Sequence, residues 1–433
     1  MFFLIPEVFQ MKKHLRSPRK NLDRLRLCLF KKQMRNIYEN VPYYREIFQR
    51  LNIVPEDFKH IDDIQKLPIV SKKDINGNLN IFLNENIELW DCYKSHTSGS
   101  TGQPFLTYFD KKSWIRKKYL SKLRARMACG MRPGERVAVF ESELSGQLES
   151  RNRKHPLQQF FLKIKYFSIF DDVAAAIEHL IAFRPQNVYG PQSFLFHLAR
   201  GIKKTGRTLP FLKRVYTSAE YRESSVTQFI KDVLKVEVYD IYGSTEFKEV
   251  AWECERHQGY HINEDEVLCE ILDGGKPAPI GEVGDIVLTD LKNTAMPLIR
   301  YRIHDRGKLL QAPCRCGRTF SIMLPVGGRA SEYILLPDGE RISPYRFTTA
   351  IEKFKGLLQY QLIQESETDL FVNVIIDSNV GNETCRNIEE TIINITRGQM
   401  RVIVRKTERI LPEENGKFKV VKNMLLKTHS LVQ

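Results

Sequence analysis

The run Ser95-His96-Thr97-Ser98-Gly99-Ser100-Thr101-Gly102-Gln103-Pro104 has too little apolar surface to pack a core. Folded back on itself, it can aim backbone N–H groups and hydroxyls at one anion. Its glycines let the chain approach a ligand with no Cβ in the way. It lacks the Lys that precedes the last Ser/Thr of a Walker A loop, and composition of this kind also serves as plain linker. Three other constellations could do chemistry. Tyr242-Gly243-Ser244-Thr245-Glu246 ends an apolar strand with an aromatic face, a close-approach glycine and a carboxylate; the bland reading is a packed Tyr and a Glu opening a helix. Arg300-Tyr301-Arg302-Ile303-His304-Asp305 ends another expected strand with a carboxylate, which alone reads as a solvated turn. Cys254, His257 and His261 lie in one segment, Cys314 and Cys316 in another. Three Cys and either His would make a tetrahedral zinc site; reduced, unliganded thiols are the alternative.

These groups need a scaffold. Residues 1 to 90 read as helical and irregular, broken at Val41-Pro42-Tyr43-Tyr44, with Ser71 as an N-cap. Phe105 to Phe109 and Glu135 to Phe140 read as strands, and Trp114 to Ala128 as a helix stopping at Gly130. From 171 to 242 helices alternate with strands, which implies crossovers and a mostly parallel sheet. Ligands of such sheets bind beyond the carboxyl ends of the strands, where Gly190-Pro191, Ser218-Ala219-Glu220 and Gly243–Glu246 fall. Past 260, strands 266–271, 284–288 and 298–303 suggest a β subdomain. After Gly327-Gly328-Arg329, a plausible hinge, come a hairpin through Pro337-Asp338-Gly339, helix 344–355, strands 357–364 and 369–376, helix 382–398 and strand 401–407. This is a small α+β domain.

The 433 residues are 42% hydrophobic and 27% charged, ordinary for a globular protein of two or three domains. No apolar run reaches the 18 residues of a membrane span, and the amino terminus has its apolar part before its charges, opposite to a secretory signal. A cytoplasmic protein is expected. The net charge of +15 is partly local: residues 11 to 36 hold ten Lys/Arg and one acid, Asp23. A solvated basic helix is the simpler reading, weak peripheral contact with an anionic membrane the sharper one. No nucleic-acid motif accompanies it.

In order and spacing these motifs resemble the adenylate-forming superfamily of acyl-CoA synthetases, and within it the phenylacetate–CoA ligase branch with its capsule-biosynthesis relatives. Val41-Pro42-Tyr43-Tyr44-Arg45, Leu67-Pro68-Ile69, Pro297 to Arg302 and Cys314-Arg315-Cys316-Gly317-Arg318 extend the likeness along nearly the whole chain. The resemblance implies an α/β N-terminal domain, 1–328, with mostly parallel sheets and a β subdomain, plus a small mobile α+β domain, 329–433. It implies that a carboxylic acid attacks the α-phosphorus of ATP and that a thiol, usually coenzyme A, then displaces AMP. Thr97, Ser98, Gly99, Ser100, Thr101 and Gly102 would bind the departing phosphates and Glu246 would hold Mg2+. Tyr242 would stack on adenine, with Gly243 and Ser244 beside it and Ser218, Ala219 and Glu220 as the adenine-side turn. Asp305 would accept the ribose hydroxyls, Arg329 would touch the nucleotide from the hinge, and Lys417 would reach the α-phosphate and the carboxylate. Tyr189, Gly190, 216–220 and Phe140-Glu141-Ser142 would line the acyl pocket. Cys254, His261, Cys314 and Cys316 would be the structural zinc set. The sequence departs from the family at Ser331, where an acid is usual. Phe418-Lys419-Val420-Val421 looks closer to the capsule-type relatives, for which an amine or hydroxyl acceptor, or AMP transfer to a hydroxyl, replaces coenzyme A. A non-catalytic nucleotide-binding protein is the reading from another class.

Overall fold

The computed structural model describes residues 4–96, 105–143, 148, 163–329, 333–342, 344–377, 383–413 and 418–425. Thr97 to Gly102, Ser331 and Lys417 lie outside them. The chain forms two compact units, Met1–Gly130 with Ile241–Pro325, and Met131–Asp240 with Val326–Gln433.

The first unit begins with helices Leu4–His14, Arg19–Asn40 and Pro42–Leu51. The expected break is one residue, Val41: Pro42 starts the next helix with its φ already set and no N–H to waste. The basic arm is indeed helical, and its inner face buries Leu22, Phe30, Met34 and Ile37. Not all of its charge is solvated, however, because Arg19 and Arg26 both pair with Glu264. The helix predicted from Trp114 starts earlier, at Lys111, because Asp110 accepts the Ser113 N–H at 3.0 Å and caps it. It passes through a π-helical stretch, Arg116–Leu120, and ends with Ser121–Ala128 before Gly130 at φ +85°. Strands Tyr93–His96 and Leu106–Phe109 form an antiparallel hairpin whose register pairs His96 with Leu106.

The β subdomain is antiparallel, as the absence of intervening helices implies. Val267–Asp273, Gly284–Asp290 and Tyr301–Leu310 pair in that order. Glu237–Ser244, Lys248–Glu253, Tyr260–Ile262 and Ile322–Arg329 form a second antiparallel run. Two expectations are corrected here. No helix follows Gly243; the chain turns back at once into a hairpin. The strand expected at 298–303 starts at Tyr301, since Arg300 sits in the left-handed region at φ +49° and ends the preceding loop. Asp305 is therefore inside a strand, not at its end.

In the second unit, strands Val137–Glu141, Ile164–Ser168, Asn187–Gly190 and Arg214–Ser218 are parallel neighbours. Helices Val173–Phe183, Gln192–Thr205 and Ser224–Leu234 make the expected crossovers. The α+β segment follows: Leu357–Gln364 lies between antiparallel Asp369–Ile376 and parallel Val421–Asn423, and Arg401–Lys406 runs parallel on the outer side of Asp369–Ile376. Helices Pro344–Ile351 and Glu383–Ile395 belong to the same segment. Gly327 and Gly328 fall inside the strand Ile322–Arg329. One apolar core joins Phe140, Leu195 and Val215 to Tyr360, Leu362 and Val421.

Candidate functional site

In the first unit the structure brings three of the expected residues together by way of tyrosines. Tyr242 donates its hydroxyl to Asp305 Oδ2 at 2.8 Å, and Tyr301 donates to Glu246 Oε1 at 3.3 Å. All but Tyr301 are half-buried. Asp305 is thus held by the tyrosine, and a carboxylate has acceptor capacity for several hydroxyls. Gly243 has a reason of its own: a Cβ there would run into the Lys248 carbonyl across the hairpin. Ser244 Oγ accepts the Phe247 N–H at 3.1 Å and closes the turn that carries Thr245 and Glu246.

Three sequence motifs converge to place the Asp305 strand. The Tyr44 hydroxyl accepts the Ile299 N–H at 3.0 Å. Val70 donates to the Arg300 carbonyl at 3.0 Å and accepts from Arg302 at 2.8 Å. The Arg300 guanidinium makes a two-pronged pair with Glu270, 3.1 and 2.9 Å, and donates to the Leu67 carbonyl at 2.8 Å. A buried charge so completely satisfied fixes geometry, and removing one partner would be strongly destabilising. The Val41–Arg45, Leu67–Ile69 and Pro297–Arg302 motifs are therefore one structural clamp.

In the second unit, Glu141, Gly190 and Ser218 stand at the carboxyl ends of three parallel strands, in the register Val139 with Tyr189 and Gly190 with Thr217. A Cβ on Gly190 would sit 3.1 Å from Phe140 Cβ. Ala219 adopts φ +72°, costly for a residue with a Cβ. The Glu220 carboxylate is taken: it accepts Ser193 N–H at 2.8 Å, Ser193 O–H at 2.7 Å and Phe418 N–H at 2.7 Å. Arg329 ends its strand.

The cysteine cluster lies in the first unit. Ligand atoms of Cys254, His261, Cys314 and Cys316 all fall within 4.8 Å of one another. Cys254 and Cys314 sulfurs are 3.5 Å apart, and Cys316 Sγ is 3.3 Å from His261 Nε2. With Zn–S near 2.3 Å, a tetrahedron has sulfur–sulfur edges of about 3.8 Å, so the donors already stand at coordination spacing. His261 Nδ1 is 3.2 Å from the Phe320 carbonyl. A carbonyl only accepts, so Nδ1 carries the proton and Nε2 is left as the ligand atom. The spacing left two histidines open. His257 faces Glu253, at 3.6 Å, and is not in the cluster.

The CapK C-terminal domain family matches residues 334–424. A phenylacetate–coenzyme A ligase of Thermus thermophilus is 29% identical over 367 residues, covering 82% of this chain and 80% of that protein. Over most of its length the chain is similar to phenylacetate–coenzyme A ligases. Protein CapK of Staphylococcus aureus is 21% identical over 392 residues, 86% of this chain and 84% of that one. A solved 2-hydroxyisobutyryl-CoA ligase, in the postadenylation state with R3-HIB-AMP, aligns with a TM-score of 0.77 over 98% of this chain and 94% of that chain, at 19% identity. That likeness is one of fold: the mixed α/β architecture of adenylate-forming ligases.

Two features of the chain have little local signal in the sequence. Arg124 of the helix Ser121–Ala128, with 2.7 and 2.9 Å bonds to buried Asp265, and His14 at the end of the first helix, 2.7 Å from the same carboxylate, tie both helices to one acid. Lys248 donates to the Ser95 hydroxyl. The only signal for the latter was a lysine two places beyond Glu246 and no lysine in the hydroxyl-rich loop. Among the described residues no helix is long and apolar enough to cross a membrane.

Proposed function

We propose that this chain activates a small-molecule carboxylic acid with ATP as an acyl-adenylate, releasing pyrophosphate, and then passes the acyl group to the thiol of coenzyme A. The observation that carries this reading is the Tyr242–Asp305 bond of 2.8 Å. It joins an aromatic face suited to a purine and a carboxylate suited to a ribose diol, on the hairpin that also presents Glu246. Homology to phenylacetate–coenzyme A ligases along most of the chain points the same way.

In this mechanism Tyr242 stacks on adenine, Asp305 accepts the ribose hydroxyls, and Ser244 closes the turn between them. Ser218 and Ala219 supply the adenine-side turn by their backbone, since the Glu220 carboxylate is engaged with Ser193 and Phe418. Glu246, whose hard carboxylate oxygens suit the ion, would hold Mg2+, which neutralises charge on phosphate oxygens. Thr97 to Gly102 cradle the leaving phosphates. Lys417 counters the charge that develops as the acid oxygen attacks phosphorus, Arg329 contacts the nucleotide, and segment 329–433 acts as the moving lid that brings Lys417 in. Cys254, His261, Cys314 and Cys316 would hold a structural zinc, their four positions filled by protein. A cytoplasmic setting follows from the demand for ATP and coenzyme A.

The CapK-type segment, residues 334–424, favours a second reading of the second step. There the acyl group goes to an amine or hydroxyl in surface-polysaccharide decoration. Pyrophosphate exchange into ATP, run over aryl, short-chain and amino acids with and without coenzyme A, tests both. Exchange with one acid and consumption of coenzyme A carry the first reading. Exchange without coenzyme A consumption carries the second, and exchange with no acid refutes both.

A further inference from the structure

No lysine stands between Ser95 and Phe105, yet the fold brings one to the stem of that segment. Lys248 donates to the Ser95 hydroxyl, one step along the hairpin strand that ends at His96. Its ammonium stands 5.4 Å from the Phe109 ring centre and 5.3 Å from that of Trp114. Lys118 lies 4.5 Å from the same Trp114 ring, and Lys122 pairs with Glu249 at 3.4 Å. Two lysines thus share one aromatic patch, and the charge of a third, Lys122, reaches Lys248. Burial pushes the Lys248 ammonium down to about 8, and the charges of Lys118 and Lys122 push the same way against Glu246 and Glu249.

The backbone is arranged to put it there. Lys248 is left-handed at φ +61°, a conformation unfavourable for a residue with a Cβ. The hairpin imposes it: Ser244 pairs with Lys248, a bulge precedes, and Gly243 leaves room for the Lys248 carbonyl. A desolvated cation whose hydrogen bond goes to a neutral hydroxyl is unfavourable by itself and becomes favourable when an anion arrives.

We propose that Lys248 and Ser95, near the end of the strand Tyr93–His96, form a phosphate subsite that takes a diphosphate or triphosphate group, with Lys118 and Lys122 supplying positive potential around it. The inference rests on the adenylate-forming reading for the loop's role, and adds the cation that the loop itself lacks. The phosphates could arrive on ATP or as free pyrophosphate, and the titrations separate the two sources.

Calorimetric titration of the full chain with pyrophosphate, ATP and AMP, on wild type, Lys248→Met and Lys248→Arg, tests it. Loss of a charge-assisted hydrogen bond should weaken pyrophosphate and ATP by about 10-fold or more in Lys248→Met, with AMP unchanged and Lys248→Arg largely restored. Weakening of ATP alone would assign the subsite to the bound nucleotide, and of both to the phosphates themselves. Equal pyrophosphate and ATP affinities in wild type and Lys248→Met overturn the proposal. So does a wild type that binds neither; AMP binding in that sample then tells whether the nucleotide reading survives. Should Lys248→Met not fold, acylation of Lys248 in the wild type decides: pyrophosphate should protect it, and undiminished labelling at saturating pyrophosphate overturns the subsite.

Discussion

Glu220 Oε1 accepts the backbone N–H of Phe418 at 2.7 Å, and Phe418 is the residue after Lys417. The same carboxylate is fixed by two bonds from Ser193 at the start of the helix Gln192–Thr205. This charge-assisted bond fixes the backbone of Phe418, the chain neighbour of the proposed catalytic lysine. Glu220→Gln keeps the shape and removes the charge. Adenylation kcat should fall about 10-fold while the KM for ATP changes less, because a hydrogen bond to a charged group contributes about 1.5–3 kcal/mol. Pyrophosphate exchange measures both constants, and an unchanged kcat would remove Glu220 from positioning.

Tyr242 is expected to act through ring and hydroxyl separately. Tyr242→Phe retains the stacking face and loses only the bond to Asp305, so the KM for ATP should rise about 10-fold, in line with about 1.5–3 kcal/mol for a hydrogen bond to a charged group. Tyr242→Ala should cost about ten times more again. If the Phe variant were as poor as the Ala variant, the ring would not be what binds the base.

Much of the architecture was readable because it rests on local periodicity. The alternation of helix and strand from 171 to 242, the hairpin around Asp338 and the antiparallel run past 260 all follow from patterns a few residues long. Residue types at the site were legible as well, since Tyr242, Glu246 and Asp305 each end an apolar stretch or follow one. What stayed hidden was set by partners far away in the chain. Lys248 meets Ser95 across 153 positions, Glu220 meets Phe418 across 198, and Arg19 meets Glu264 across 245. No local signal marks such pairs. The shifted start of the Asp305 strand has the same origin, because Val70 and Tyr44 hold the chain around Arg300.

The Cys254–His261–Cys314–Cys316 cluster should carry one zinc per chain, measured by elemental analysis of protein purified without chelator. Because binding free energy at a structural site is folding free energy, chelation should lower the unfolding midpoint by several degrees. Cys316→Ser should lose the metal, whereas His257→Ala should keep it, as His257 lies with Glu253 instead. Metal-free protein with an unchanged midpoint would leave the cluster as three reduced thiols and a buried imidazole.

The second unit contains a pair of acids whose titration should set its stability against pH. Burial pushes the Glu352 carboxyl up to about 7 from an ordinary 4.5, opposed by hydrogen bonds from Ser224 and Tyr360 and by the charge of Arg222. Glu223 beside it is 1% exposed and is also driven up, by burial first and then by the charges of Glu352 and Glu220. A raised carboxyl means that the folded chain keeps a proton the unfolded chain has released. Between pH 4.5 and 7 stability therefore falls as pH rises, by at most about 3 kcal/mol for Glu352. Glu352→Gln, which cannot ionise, should match the wild type near pH 4.5 and be the more stable protein above pH 7. Chemical denaturation at a series of pH values gives the two curves. If they ran parallel, Glu352 would have the same proton affinity folded and unfolded, and the buried pair would not govern this unit's response to pH.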